Sequence, residues 1–145
     1  MPIPGAGRIL AVDWGERRFG IAVSDESQII AAPILTLSRR PGKRFPMPAL
    51  LDLVAAQHPV GVVVGLPLTP QGTEAGAAEQ ARALADRIAR RTGLPIELVD
   101  ERMTTSRAHA AIREQGGSTR GRKEDVDALA AAVLLQGFLE RRRNA

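Results

Sequence analysis

Residues 60–66, Val60-Gly61-Val62-Val63-Val64-Gly65-Leu66, carry no charged or hydrogen-bonding side chain. So short an apolar run, rich in β-branched valine, reads as a strand rather than a helix. A strand that is apolar on both faces must be covered on both, as a parallel strand inside an α/β layer structure is. The rest of the chain must therefore supply neighbouring strands and two layers of cover.

It does so in order. Residues 8–13 hold the run Ile9-Leu10-Ala11-Val12, closed by an acid, and read as a buried strand. A turn at 15–18 leads to a second strand at 19–24, and Asp25-Glu26-Ser27 has turn chemistry. A third strand at 28–37 is expected to be broken or bulged near Pro33, which has no N–H for a ladder. These three form an antiparallel meander. After a basic loop at 39–43, residues 48–57 read as a helix with Leu50, Leu51, Leu53 and Val54 as its apolar stripe. The apolar strand at 60–66 and a loop at 69–73 follow. A helix over 74–91 ends at Gly93, a C-cap signal, with Pro95 beyond. Residues 96–99 are a fifth strand and 105–113 a helix. Residues 115–123 form a glycine-rich basic loop before a last helix over 124–142. The expected fold is α/β, with a five-stranded mixed sheet of three antiparallel meander strands plus two parallel ones, flanked by helices. One domain is expected over 1–145, with residues 1–7 a disordered leader.

The chain has no cysteine, which excludes disulfides, zinc–thiolate sites and cysteine nucleophiles. No signal peptide or membrane-length apolar run is seen, so the cytoplasm is the expected location and no membrane partner is expected. Lys and Arg number 20 against 16 acids, a net charge of +4, and most of the cations are arginines suited to forked phosphate contacts. Such a balance fits a polyanion partner such as nucleic acid, and equally a chain in which Arg and Ala are simply frequent. One Trp, three Phe and no Tyr argue against a base-stacking surface, so backbone contacts should dominate.

Three acidic positions fall where they can converge. Asp13 closes the first, central strand; Asp100 and Glu101 follow the fifth; Asp127 lies in the first turns of the last helix. Strand ends beside a change of connection direction are where α/β folds place ligands. Two carboxylates about 4 Å apart repel by roughly 4 kcal/mol at an effective dielectric of 20, so a packed cluster of three calls for a cation. Oxygen donors without thiols favour Mg²⁺ or Mn²⁺. Asp127 shares a helical face with Ala131, Leu134, Leu135 and Phe138, which turns it toward the protein body. Asp100 and Glu101 could instead cap the next helix or pair with Arg102, and Glu101 is the stronger ligand candidate of the two. Arg18, Arg120, Arg122 and Lys123 are candidates for phosphate contacts. His58 and His109 have no metal spacing and read as structural.

At these residues the chain resembles the YqgF/RuvX family of Holliday-junction-resolvase-like proteins and pre-16S rRNA nucleases. The resemblance is carried by Ala11-Val12-Asp13-Trp14-Gly15-Glu16-Arg17-Arg18-Phe19-Gly20-Ile21-Ala22-Val23-Ser24-Asp25, by Val64-Gly65-Leu66-Pro67-Leu68 with Gly72-Thr73, by Asp100-Glu101-Arg102-Met103-Thr104-Thr105, and by Asp127 with Ala130-Ala131. It implies an RNase H-like fold and a nuclease acting on precursor rRNA or branched DNA, with ribosomal particles as further partners. The family's acids fall on Asp13, Glu101 and Asp127, as catalytic and metal-binding residues for Mg²⁺ or Mn²⁺. The wider superfamily carries an acid near the fourth strand, where this chain has Gly65-Leu66-Pro67, so the second acid must come from the neighbouring strand. Two other readings stand beside the nuclease: a non-catalytic RNA-binding assembly factor, and a nucleotide-binding module using Asp13-Trp14-Gly15 as a phosphate turn. Both a monomer and a homodimer fit the sequence.

Overall fold

The structure is a computed structural model and describes residues 1–15, 17–67, 76–104, 106–114 and 123–144. Its elements run β1 (Ile9–Asp13), β2 (Arg18–Ser24), β3 (Ala31–Ser38), α1 (Met47–Gln57), β4 (Gly61–Leu66), α2 (Gly76–Thr92), β5 (Ile96–Asp100), a 3-10 turn (Glu101–Met103), α3 (Ser106–Glu114) and α4 (Lys123–Arg143). One mixed sheet has the order β3-β2-β1-β4-β5. The meander pairs β1 with β2 and β2 with β3, both antiparallel, while β4 runs parallel to β1 and to β5. The α/β expectation holds, with β1 at the centre.

Alternation along the strands builds two cores. Ile9, Ala11, Val63 and Val99 face α3 and α4. Leu10, Val12, Val62, Val64 and Leu66 face α1 and α2. Every residue of β4 is buried, as its composition requires. The break near Pro33 is a register shift: Ile21 opposes Leu35 while Ala22 opposes Pro33, so Ile34 is the extra residue of a bulge on an edge strand. β3 begins only at Ala31 because Asp25 Oδ1 accepts from the N–H groups of Ile29 (2.8 Å) and Ile30 (3.1 Å), which extends the turn.

Helix α4 lies across the meander, and its residues 131–140 are buried on every side. Two of them are polar. Gln136 Oε1 accepts from the Ala31 N–H (2.9 Å) and its amide donates to the Ile29 carbonyl (3.1 Å), which ties the helix to the start of β3. Close approach to β2 depends on Gly20, where a Cβ would overlap the carbonyl oxygen of Asp127.

The segment 1–7 corrects the expectation of a disordered leader. Ile3 is 5% exposed and packs over Gly61. Gln28 donates to the carbonyls of Pro4 and Gly7 (both 2.9 Å), and Arg142 donates to that of Ile3 (2.8 Å). A buried isoleucine and three satisfied carbonyls hold the segment down, contacts that come from distant parts of the chain and leave no local pattern. His58 is not on a helix but caps α1 in the left-handed region (φ 51°), its N–H bonded to the Val54 carbonyl.

Candidate active site

The site is built at one end of the sheet, where β1, β4 and β5 all finish. Val12 pairs with Val64 and Gly65 pairs with Val99, so Asp13, Gly65 and Val99 stand in a row across three strands. Their common face is the one covered by α4. β5 ends at Asp100, and the 3-10 turn swings Glu101 back over the row. Gly65 leaves the notch into which the two acids reach. A Cβ there would lie 3.2 Å from Asp13 Oδ1, 3.0 Å from Glu101 Oε1 and 3.0 Å from Leu134 Cδ2.

The electrostatics follow from that crowding. Burial pushes the Asp13 carboxyl up from 3.8 to about 9, helped by its hydrogen bond with Glu101 and by the charges of Glu101 and Asp127. At neutral pH Asp13 therefore retains its proton in the absence of a cation.

Asp127 approaches from the first turns of α4. Arg18 Nε lies 3.1 Å from Asp127 Oδ2, an ion pair by distance between side chains 43% and 28% exposed. The same oxygen is buried and makes no hydrogen bond. The pair is an electrostatic contact and not a formed hydrogen bond, which leaves Oδ2 with accepting capacity.

Asp100 is spent locally. Its Oδ1 accepts from the Arg102 N–H (2.8 Å), and its Oδ2 pairs with the Arg102 guanidinium (2.8 Å), which holds the Asp100 carboxyl below its ordinary value. The geometry thus separates the two neighbouring acids: Asp100 starts the turn and Glu101 faces Asp13. Among the described residues no three acidic, His or Cys side chains form a ready metal cage. Two converge, and the third is turned toward Arg18. The donor set nevertheless suits a hard divalent ion. All donors are oxygens, Asp13 is held protonated by burial and by its acidic neighbours, and one buried oxygen lacks a hydrogen bond.

Arg120 and Arg122 lie outside the described residues; Lys123 opens α4, with its side chain also outside them. His109 is exposed on α3. The sequence placed Gly65 in the apolar strand, where the wider superfamily carries an acid, but did not show the notch it leaves or the ion pair of Arg18 with Asp127. The signal for the first was present: a glycine in an otherwise valine-rich strand, level with an acid on its neighbour.

A mixed sheet in this order, with an acid closing its central strand and a last helix carrying another, defines the RNase H-like class of α/β folds. The structure superposes on RuvC of Thermus thermophilus, solved with a Holliday junction substrate, at a TM-score of 0.63 over 94% of this chain and 96% of that one; at 14% identity this likeness speaks for the fold. A profile of the RuvX family, described as Holliday junction resolvase, matches residues 7–141, and the chain belongs to that family. It is 42% identical over 136 residues to a protein of Koribacter versatilis named "Putative pre-16S rRNA nuclease", covering 94% of this chain and 88% of that one. A protein of Anaeromyxobacter dehalogenans with the same name is 42% identical over 135 residues, covering 93% and 98%.

Proposed function

We propose that this chain is a divalent-metal-dependent endonuclease that hydrolyses phosphodiester bonds in structured nucleic acid, with precursor 16S rRNA as the favoured substrate and a branched DNA junction as the other. The observation that carries the reading is the meeting of Asp13 and Glu101 in the notch over Gly65, with the charge of Asp127 felt at the same place. The family and the names of its relatives support the substrate class.

Asp13, Glu101 and Asp127 are the residues that would hold Mg²⁺ or Mn²⁺, which supplies Lewis acidity for attack of water on phosphorus. The protein's own groups do the rest. Asp13, held protonated by burial, would release that proton to solvent to act as a ligand. Arg18, 43% exposed beside Asp127, is free to turn its guanidinium to a non-bridging phosphate oxygen. That movement leaves the Asp127 carboxylate for the cation. Leu134 and the apolar strand ends shield one side of the cluster from water and so strengthen each of these interactions.

The test uses end-labelled precursor 16S rRNA and a four-way DNA junction, each with Mg²⁺, with Mn²⁺ and with EDTA. Cleavage that requires the metal and vanishes in Asp13→Asn and Asp127→Asn, both still folded, is the expected result. Binding without cleavage, unchanged in Asp13→Asn, would instead make the protein an RNA-binding assembly factor.

A further inference from the structure

The residue after Asp13 faces the other side of the sheet. Trp14 continues the row of Leu10 and Val12 and packs against the core under α1 and α2. It meets Phe19 edge-on at 6.2 Å, and Phe19 meets Phe45 edge-on at 4.6 Å. This aromatic row floors an open pocket of about 510 Å³ between the loop before α1 and the flank of α2. Arg39, Lys43, Arg44 and Arg87 line it, and among its described lining residues there is no acid. Arg39 is partly engaged, donating to the Lys43 carbonyl at 3.2 Å.

We propose that this pocket holds an unpaired stretch of nucleic acid next to the scissile phosphate, with a base on Trp14 and backbone phosphates on Lys43, Arg44 and Arg87. The proposal rests on the nuclease reading and deepens it. A cationic wall without acids selects an anion, and a half-buried indole selects a flat ring; together they fit a nucleotide unit. The placement favours a strand over a free nucleotide. Trp14 and Asp13 are consecutive, their α-carbons about 3.8 Å apart, so a chain lying across the end of β1 touches the carboxylates on one side and the pocket on the other. A base inside a duplex has no free face, so the strand must be single at this point. Phe19 and Phe45 are buried beneath Trp14, so the proposal adds a single stacking position to an interface in which backbone contacts dominate.

Trp14 is the only tryptophan and the chain has no tyrosine, so its emission reports this pocket alone. The experiment titrates the full chain in EDTA with a single-stranded oligoribonucleotide, the same oligomer carrying abasic positions, a blunt duplex, and adenosine monophosphate. Saturable quenching by the base-bearing oligomer only is expected, with a logarithmic salt slope near −2 for three phosphate contacts at about 0.7 each. Arg44→Ala with Arg87→Ala should flatten that slope by about 1.4. Should that variant not fold, by circular dichroism, the comparison of ligands on the natural chain still decides. Equal quenching by abasic oligomer or duplex, tight binding of the mononucleotide alone, or an unchanged slope in the folded variant would overturn the proposal. Metal-dependent cleavage without any quenching sinks the pocket and spares the nuclease. Quenching without cleavage does the reverse.

Discussion

Replacing Asp13 by Asn should stabilise the metal-free protein, by an amount that grows with pH. The folded chain keeps a proton on Asp13 up to about pH 9, while the unfolded chain releases it near 3.8. Between those values the unfolded state binds one proton fewer, so stability is greatest below about 4 and falls as pH rises toward 9. The limiting slope for one proton is about 1.4 kcal/mol per pH unit. From pH 6 to pH 8 the natural chain should therefore lose up to about 2.7 kcal/mol relative to Asp13→Asn, in which this titration is gone. At this chain length that corresponds to a relative shift of roughly 5–10 °C in melting temperature. Thermal and urea unfolding of both proteins in EDTA at pH 6, 7 and 8 measure it, and titrating groups remote from the cluster cancel in the comparison. Millimolar Mn²⁺ should reverse the order, because a cation replaces the proton only where the carboxylate survives. Parallel pH profiles for the two proteins in EDTA would show that the cluster is not electrostatically frustrated and would remove the physical reason for a metal.

Gly65→Ala puts a methyl 3.0 Å from Glu101 Oε1, and the carboxyls must part by a few tenths of an ångström or more; cleavage should fall on the order of a hundredfold with the fold retained, read from rate and melting curve together. Gly20→Ala forces α4 away from β2 and should cost about 1–3 kcal/mol in urea unfolding, whether or not metal is present. Neutralising Arg120, Arg122 and Lys123 should weaken binding to single-stranded RNA and lower the salt slope by about 2 if all three touch phosphates; an unaltered slope in a filter-binding titration would remove that loop from the interface.

Much of the layered architecture was legible because it follows from periodicity. The apolar run of β4 demands cover on both faces, and the alternation of β1 and β2 names which side chains go to which core. Proline in β3 marks the bulge because a missing donor is a local fact. What escaped is what depends on distant parts of the chain meeting. The face of α4 carrying Ala131, Leu134, Leu135 and Phe138 was readable, but its burial all round was not, since α3 and the segment 1–7 cover what the sheet leaves open. Arg142 and Arg143 hold the carbonyls of Ile3 and Ile29, contacts that no local pattern announces. At the site, Asp13 and Asp100-Glu101 stood out as charges ending apolar strands, and Asp127 by the helical face it shares with apolar residues. The pairing of Arg18 with Asp127 did not, because 109 positions separate partners that only the meander and α4 bring together.

The empty place at Gly65 also decides which acid can serve across it. β1 and β5 are second neighbours, so their backbones lie roughly 9–10 Å apart. An aspartate suffices on the central strand, where the notch begins. From the turn that follows the outer strand the longer arm of Glu101 reaches the notch, and Asp at that position would keep the charge while stopping about 1.5 Å short. Charge and length are thus separate requirements here, and a swap that preserves the first can still dismantle the centre. A lineage that placed an acid on the middle strand could relax the second, trading one long bridge for two short ones.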